Sequence, residues 1–106
     1  MSLRVGAGAR EDVAEIAEFM DSKTNGRGEV FVAAVERAYS SIEKMPRIQP
    51  PTDDGPSGVE SRYHLIHGFR YRIVFAMLGD DIYVLAVAHV HQKPDYWHDR
   101  LPADPT

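Results

Sequence analysis

The sequence predicts an α+β fold in two layers: a helical hairpin packed on an antiparallel sheet of three or four strands. Three observations predict it. The front half carries two apolar runs with helical spacing, parted by a turn. The back half carries apolar residues with strand-like alternation. A stretch rich in proline and glycine separates the two halves. At 106 residues the chain has room for one domain, expected to span 1–106.

Leu3, Val5 and Ala7 alternate with Arg4 and Gly6, a weak signal for a first strand. Val13, Ile16, Ala17 and Met20 then recur at i, i+3, i+4 and i+7. Glu11 and Asp12 precede them, where a helix dipole favours negative charge. Residues 21–26 read as a turn, as does the trio Gly26-Arg27-Gly28, which lacks the spacing of a phosphate-binding loop. The second helix is the clearest element. Phe31, Ala34, Val35, Ala38, Tyr39 and Ile42 form one face, while Glu36, Arg37, Glu43 and Lys44 turn to water. Pro46 ends it, because proline disfavours helical geometry in the residue before it.

Residues 47–61 hold Pro50, Pro51, Gly55, Pro56 and Gly58 and form a loop. A short strand over 62–66 and a turn at His67-Gly68 follow. Two longer strands, 70–78 and 82–90, are joined at Gly79-Asp80-Asp81. Both are apolar partly on two faces, as in strands covered on both sides. The helical hairpin would cover one face; a tail over 94–101, with Tyr96 and Trp97, would lie along the other face or at the edge. The pairs Asp53-Asp54 and Asp80-Asp81 suit turns, where aspartate bonds its own backbone.

The 43% hydrophobic and 26% charged content is that of an ordinary soluble globular chain. With no cysteine, disulfides and thiolate metal sites are excluded, in keeping with a reducing cytoplasm. No secretory signal or membrane span is expected, since no apolar run approaches the ~20 residues a bilayer crossing needs. The net charge of −4 disfavours general electrostatic binding to nucleic acid and leaves room for a local basic patch.

The back half carries a resemblance. Arg62-Tyr63-His64-Leu65, Gly68-Phe69-Arg70-Tyr71-Arg72-Ile73-Val74-Phe75 and Ile82-Tyr83-Val84-Leu85-Ala86-Val87-Ala88-His89 follow in order. The ending is Pro94-Asp95-Tyr96-Trp97-His98-Asp99-Arg100, and the first helix opens Ala9-Arg10-Glu11-Asp12-Val13-Ala14-Glu15-Ile16. Together they resemble ParE-type toxins of the RelE/ParE superfamily. The resemblance implies the toxin of a type II toxin–antitoxin, or plasmid stabilisation, system with a cognate antitoxin partner. Its target would be DNA gyrase, bound and poisoned, or in RelE-like relatives the ribosome, where mRNA is cleaved. A non-toxic relative that kept only the partner surface is a third reading. RelE-like nucleases are usually strongly basic and keep an arginine after the last strand. This chain is acidic and has His91-Gln92-Lys93 there.

For a nuclease, the resemblance marks Arg72, whose planar guanidinium suits a scissile phosphate, with His89 and His91 as proton-transfer groups. The bland alternative makes Arg70 and Arg72 solvent-facing strand residues and the histidines locally bonded strand ends. With a turn of two or four residues, Arg72 and His89 share a sheet face; a three-residue loop separates them. For partner binding, the candidates are Arg62, Arg70, Tyr96, Trp97 and Arg100, since aromatic residues and arginine are enriched at hot spots. Trp97 capping the core is the competing reading. The five histidines, His64, His67, His89, His91 and His98, lack the carboxylate or thiolate partners of a metal site. No metal or cofactor is expected. The oligomeric state stays open, a homodimer among the options.

Overall fold

A computed structural model describes residues 2–102. Its elements run β1 (Ser2–Val5), α1 (Ala7–Lys23), α2 (Arg27–Lys44), a 3₁₀ turn (Pro46–Ile48), β2 (Ser61–Leu65), β3 (Tyr71–Leu78), β4 (Asp81–His89) and a second 3₁₀ turn (Pro94–Trp97). The sheet order is β1-β4-β3-β2. β2, β3 and β4 form the expected antiparallel meander. The sheet as a whole is mixed, however, because β1 lies parallel to β4, with Ser2 opposite Asp81 and Val5 opposite Val84. A tight turn forces antiparallel pairing. β1 reaches β4 only through both helices and two strands, so nothing imposes that direction on it.

α2 buries Phe31, Val35 and Ile42 against Ile73, Phe75, Val84 and Val87 of the sheet. α1 contributes less: Ala9 is fully buried, and Val13, Ile16 and Met20 pack from the margin. The helices cross closely. A Cβ on Gly28 would stand 2.5 Å from the Ala17 carbonyl oxygen, so the crossing admits only glycine there. Gly28 therefore belongs to the first turn of α2 and not to a loop. The turn is confined to Thr24–Gly26, ending at Gly26 with φ 86°.

The opposite face of the sheet is also covered. Val74, Ala76, Leu85, Ala86 and Ala88 make a second apolar cluster under the fully buried Trp97, with Val59 and Leu101 beside it. Both central strands are thus apolar on two faces because each face has its own cover.

One irregularity decides which residues share a face. The β3–β4 connection is a two-residue turn, with Leu78 opposite Asp81. Register holds to Phe75 opposite Val84, then slips so that Val74 faces Ala86. Leu85 is the extra residue of a β-bulge, and Leu85 and Ala86 both point into the Trp97 cluster. Beyond the bulge Arg72 pairs with Ala88, and His89 pairs with Tyr71. A two-residue turn alone would place Arg72 and His89 on one face; the bulge places them on opposite faces.

Candidate functional site

Arg72 lies on the tail-covered face. Its guanidinium Nη1 meets Asp54 Oδ2 at 2.7 Å, and the side chain is only 11% exposed. The same group sits 5.5 Å from the centroid of the Trp97 ring. The Asp54 backbone carbonyl accepts from Trp97 Nε1 at 2.8 Å and is within 3.1 Å of His98 Nε2. Asp54 therefore joins the loop, β3 and the tail at one point. Arg72 Nε is buried without a hydrogen-bond partner. The arginine is neither solvent-facing nor open to a ligand.

Arg100 anchors the other side of the tail. Its Nη1 donates to Asp12 Oδ2 at 2.8 Å and to the Leu85 carbonyl at 3.0 Å. Asp12 Oδ2 also accepts from the Val87 amide at 3.1 Å. These contacts have a structural cause. β1 stops after Val5, where Gly6 N–H bonds the Val84 carbonyl, leaving the rest of β4 without a neighbour strand on that edge. The Asp12–Arg100 pair takes the place of that strand, satisfying one carbonyl and one amide. Burial opposes the Arg100 charge, but the Asp12 hydrogen bond and charge outweigh it and hold its pKa above the usual value. A Cβ on Gly8 would fall 2.6 Å from this guanidinium, so a larger residue there would push the arginine aside.

Tyr96 is more open, at 36% exposure, with Arg100 4.7 Å over its ring and Trp97 edge-on at 4.8 Å. Burial first, and then Asp12, push its hydroxyl up to about 12. Tyr96, Arg100, Asp12, Glu15 and Gln92 line a cleft of about 270 Å³ between α1 and the tail. The tail's Pro94 and Asp95 side chains lie outside the described part.

His89 is on the helix-covered face at the end of β4, its ring 5.5 Å from Tyr71 and 5.5 Å from His91. The His91 amide donates to His89 Nδ1 at 3.2 Å. The two histidines are thus brought together, and Arg72 lies on the opposite sheet face from His89. Among the described residues no three His, Asp or Glu side chains gather as a metal would need. Arg62 is held by Glu60 at 2.8 Å and by the Gln49 carbonyl at 2.6 Å. Arg70 is exposed and forms no ion pair among the described residues.

Three residues that organise these surfaces are hard to see in the sequence. Asp54 reads as a turn aspartate, Asp12 as a helix-dipole residue, and Gln49 as loop. Each acts across a long separation in the chain, and no local pattern marks such a partnership. Only the excess of apolar residues on both faces of 70–78 and 82–90 signals that a second cover exists.

A family model, the ParE toxin of the type II toxin–antitoxin system parDE, matches residues 3–94. Among solved structures, the chromosomal ParDE toxin–antitoxin system from P. aeruginosa superposes with a TM-score of 0.62 at 18% identity, covering 84% of this chain and 95% of that one. At that identity the likeness speaks for the fold. No curated protein sequence matches. The family match takes in all four strands and both helices, so the chain belongs to the ParE toxin family and is the toxin of a type II toxin–antitoxin system, with a cognate antitoxin as its partner.

Proposed function

We propose that this toxin works by binding, in the manner of ParE, with DNA gyrase as its target and without nuclease chemistry of its own. The observation that supports this most is the separation of Arg72 from His89. A ribonuclease of this fold would need a guanidinium at the phosphate with a proton-transfer group beside it. Here the β-bulge at Leu85 puts the two on opposite faces, and Asp54 and Trp97 occupy the arginine. On this reading 1–106 acts as one domain in the cytoplasm, where gyrase is. Arg70 and Tyr96 meet a partner directly; Arg62, Trp97 and Arg100 hold the surface in shape.

The test is expression without antitoxin, followed by gyrase supercoiling and ribosome-dependent mRNA cleavage assays on the purified protein. Inhibited supercoiling with intact mRNA is expected, and Arg72→Ala should leave mRNA intact too. Messenger cleavage by the wild type, lost in Arg72→Ala, would overturn the proposal in favour of a RelE-like nuclease. Growth unaffected at high expression would instead mark a relative that kept only the antitoxin-binding fold.

A further inference from the structure

The charge of this molecule is unevenly placed. No acidic residue occurs between Glu60 and Asp80, nor between Asp81 and Asp95, while those two stretches carry His67, Arg70, His89, His91 and Lys93. The register brings them to one end of the sheet. Leu65 pairs with Arg72 and Tyr71 with His89, so the β2–β3 turn and the chain leaving β4 lie side by side. The Val90 amide bonds the Arg70 carbonyl at 3.0 Å, which fixes the two segments together. α2 adds a further cation: Phe31 packs on Phe69 and Tyr71, and Arg27 lies 4.3 Å over the Phe69 ring. The acidic turn Asp80-Asp81 is at the opposite end of the strands.

Arg27, His67, Arg70, His91 and Lys93 are exposed, and Arg27, Arg70 and Lys93 form no ion pair among the described residues. On the hairpin, the Asp21 carboxylate accepts from the Gly28 amide at 2.7 Å. We propose that this end, built from Arg27, His67, Arg70, His89, His91 and Lys93, is a recognition surface for an acidic segment of a protein partner. Charge complementarity argues for an anionic occupant. Two features favour protein over nucleic acid. The large aromatic rings at this end are already engaged: Arg27 lies over Phe69, and Phe31 and His89 meet Tyr71 edge to face. The whole chain is also negative, at −4, which opposes a long polyanion more than a short acidic segment.

The inference rests on the binding-type reading only in supplying that toxin with a contact surface, and its test needs no toxicity. A fluorescein-labelled glutamate-rich peptide, its glutamine counterpart and a single-stranded oligonucleotide of matched charge would be titrated into the purified toxin and followed by anisotropy. The glutamate peptide should bind and the glutamine peptide should not. Arg70→Glu combined with Lys93→Glu should weaken the glutamate peptide about tenfold or more, each reversed cation having carried a charge-assisted contact. Arg47→Glu, beyond the far end of α2, should change it little. Amide shifts in the wild type should centre on the β2–β3 turn and residues 89–93, a readout independent of how the variants fold. Absence of glutamate-peptide binding, shifts confined elsewhere, or tighter oligonucleotide binding would overturn the proposal. Peptide binding by a protein that leaves gyrase untouched would count against the gyrase reading alone.

Discussion

Asp54 shows how much one side chain can hold in a small protein. Its carboxylate neutralises Arg72, and its backbone carbonyl receives the indole of the chain's single tryptophan. Removing one partner of a largely buried pair leaves the other charge without compensation, and that loss exceeds what the pair contributes by attraction. Asp54 itself is partly open, at 37%, and water will screen some of the effect. Asp54→Ala should therefore lower unfolding free energy by about 1–3 kcal/mol. Replacing both partners, Asp54→Ala with Arg72→Met, should cost less than Asp54→Ala alone. Urea denaturation of the two variants checks this, and equal or larger loss in the double variant would deny the pair its role. Arg72 could be picked out from the sequence through the family resemblance. Its partner could not, because a turn aspartate with a distant role looks like any other.

At the scale of elements, the sheet manages its two edges differently. The open side of β2 is paired by the loop: Tyr63 N–H bonds the Pro50 carbonyl and Thr52 N–H bonds the Ser61 carbonyl, each at 3.0 Å. His64 Nδ1 lies 2.9 Å from Gln49 Oε1, tying the same loop to β2 by a side chain. Burial lowers the His64 pKa below its ordinary 6.5, so the folded chain takes up its proton later than the unfolded chain. Stability should be level above pH 6.5 and should fall as acidification passes from 6.5 to the lowered folded value. Urea midpoints measured on either side of that window should differ, and His64→Gln should reduce the difference; an unchanged pH slope in that variant would refute the assignment. Helices, meander and loop were all legible from spacing and from proline. The bulge at Leu85 was not, since β4 is apolar on both faces and an inserted apolar residue leaves no break in its pattern. The parallel placement of β1 was likewise hidden: a four-residue strand far from its partner in sequence carries no sign of direction.

The whole molecule has three tiers: helices, a mixed sheet, and a strap made of the tail with part of the 47–61 loop. The strap is held at Asp54 by Trp97 and at the β4 edge by Arg100. It closes the arginine-bearing face of the sheet, while the helices cover the face that carries His89. The cationic end, with Arg27, Arg70 and Lys93 exposed, lies outside both covers. The state of Trp97 tests that arrangement most directly, since the only indole in the chain reports the strap and nothing else. Its fluorescence in the native protein should be blue-shifted and resistant to acrylamide, becoming red-shifted and quenchable on unfolding in urea. Emission like that of free tryptophan in water, quenched freely before unfolding begins, would mean that the strap is open and Arg72 is available, and would contradict the account.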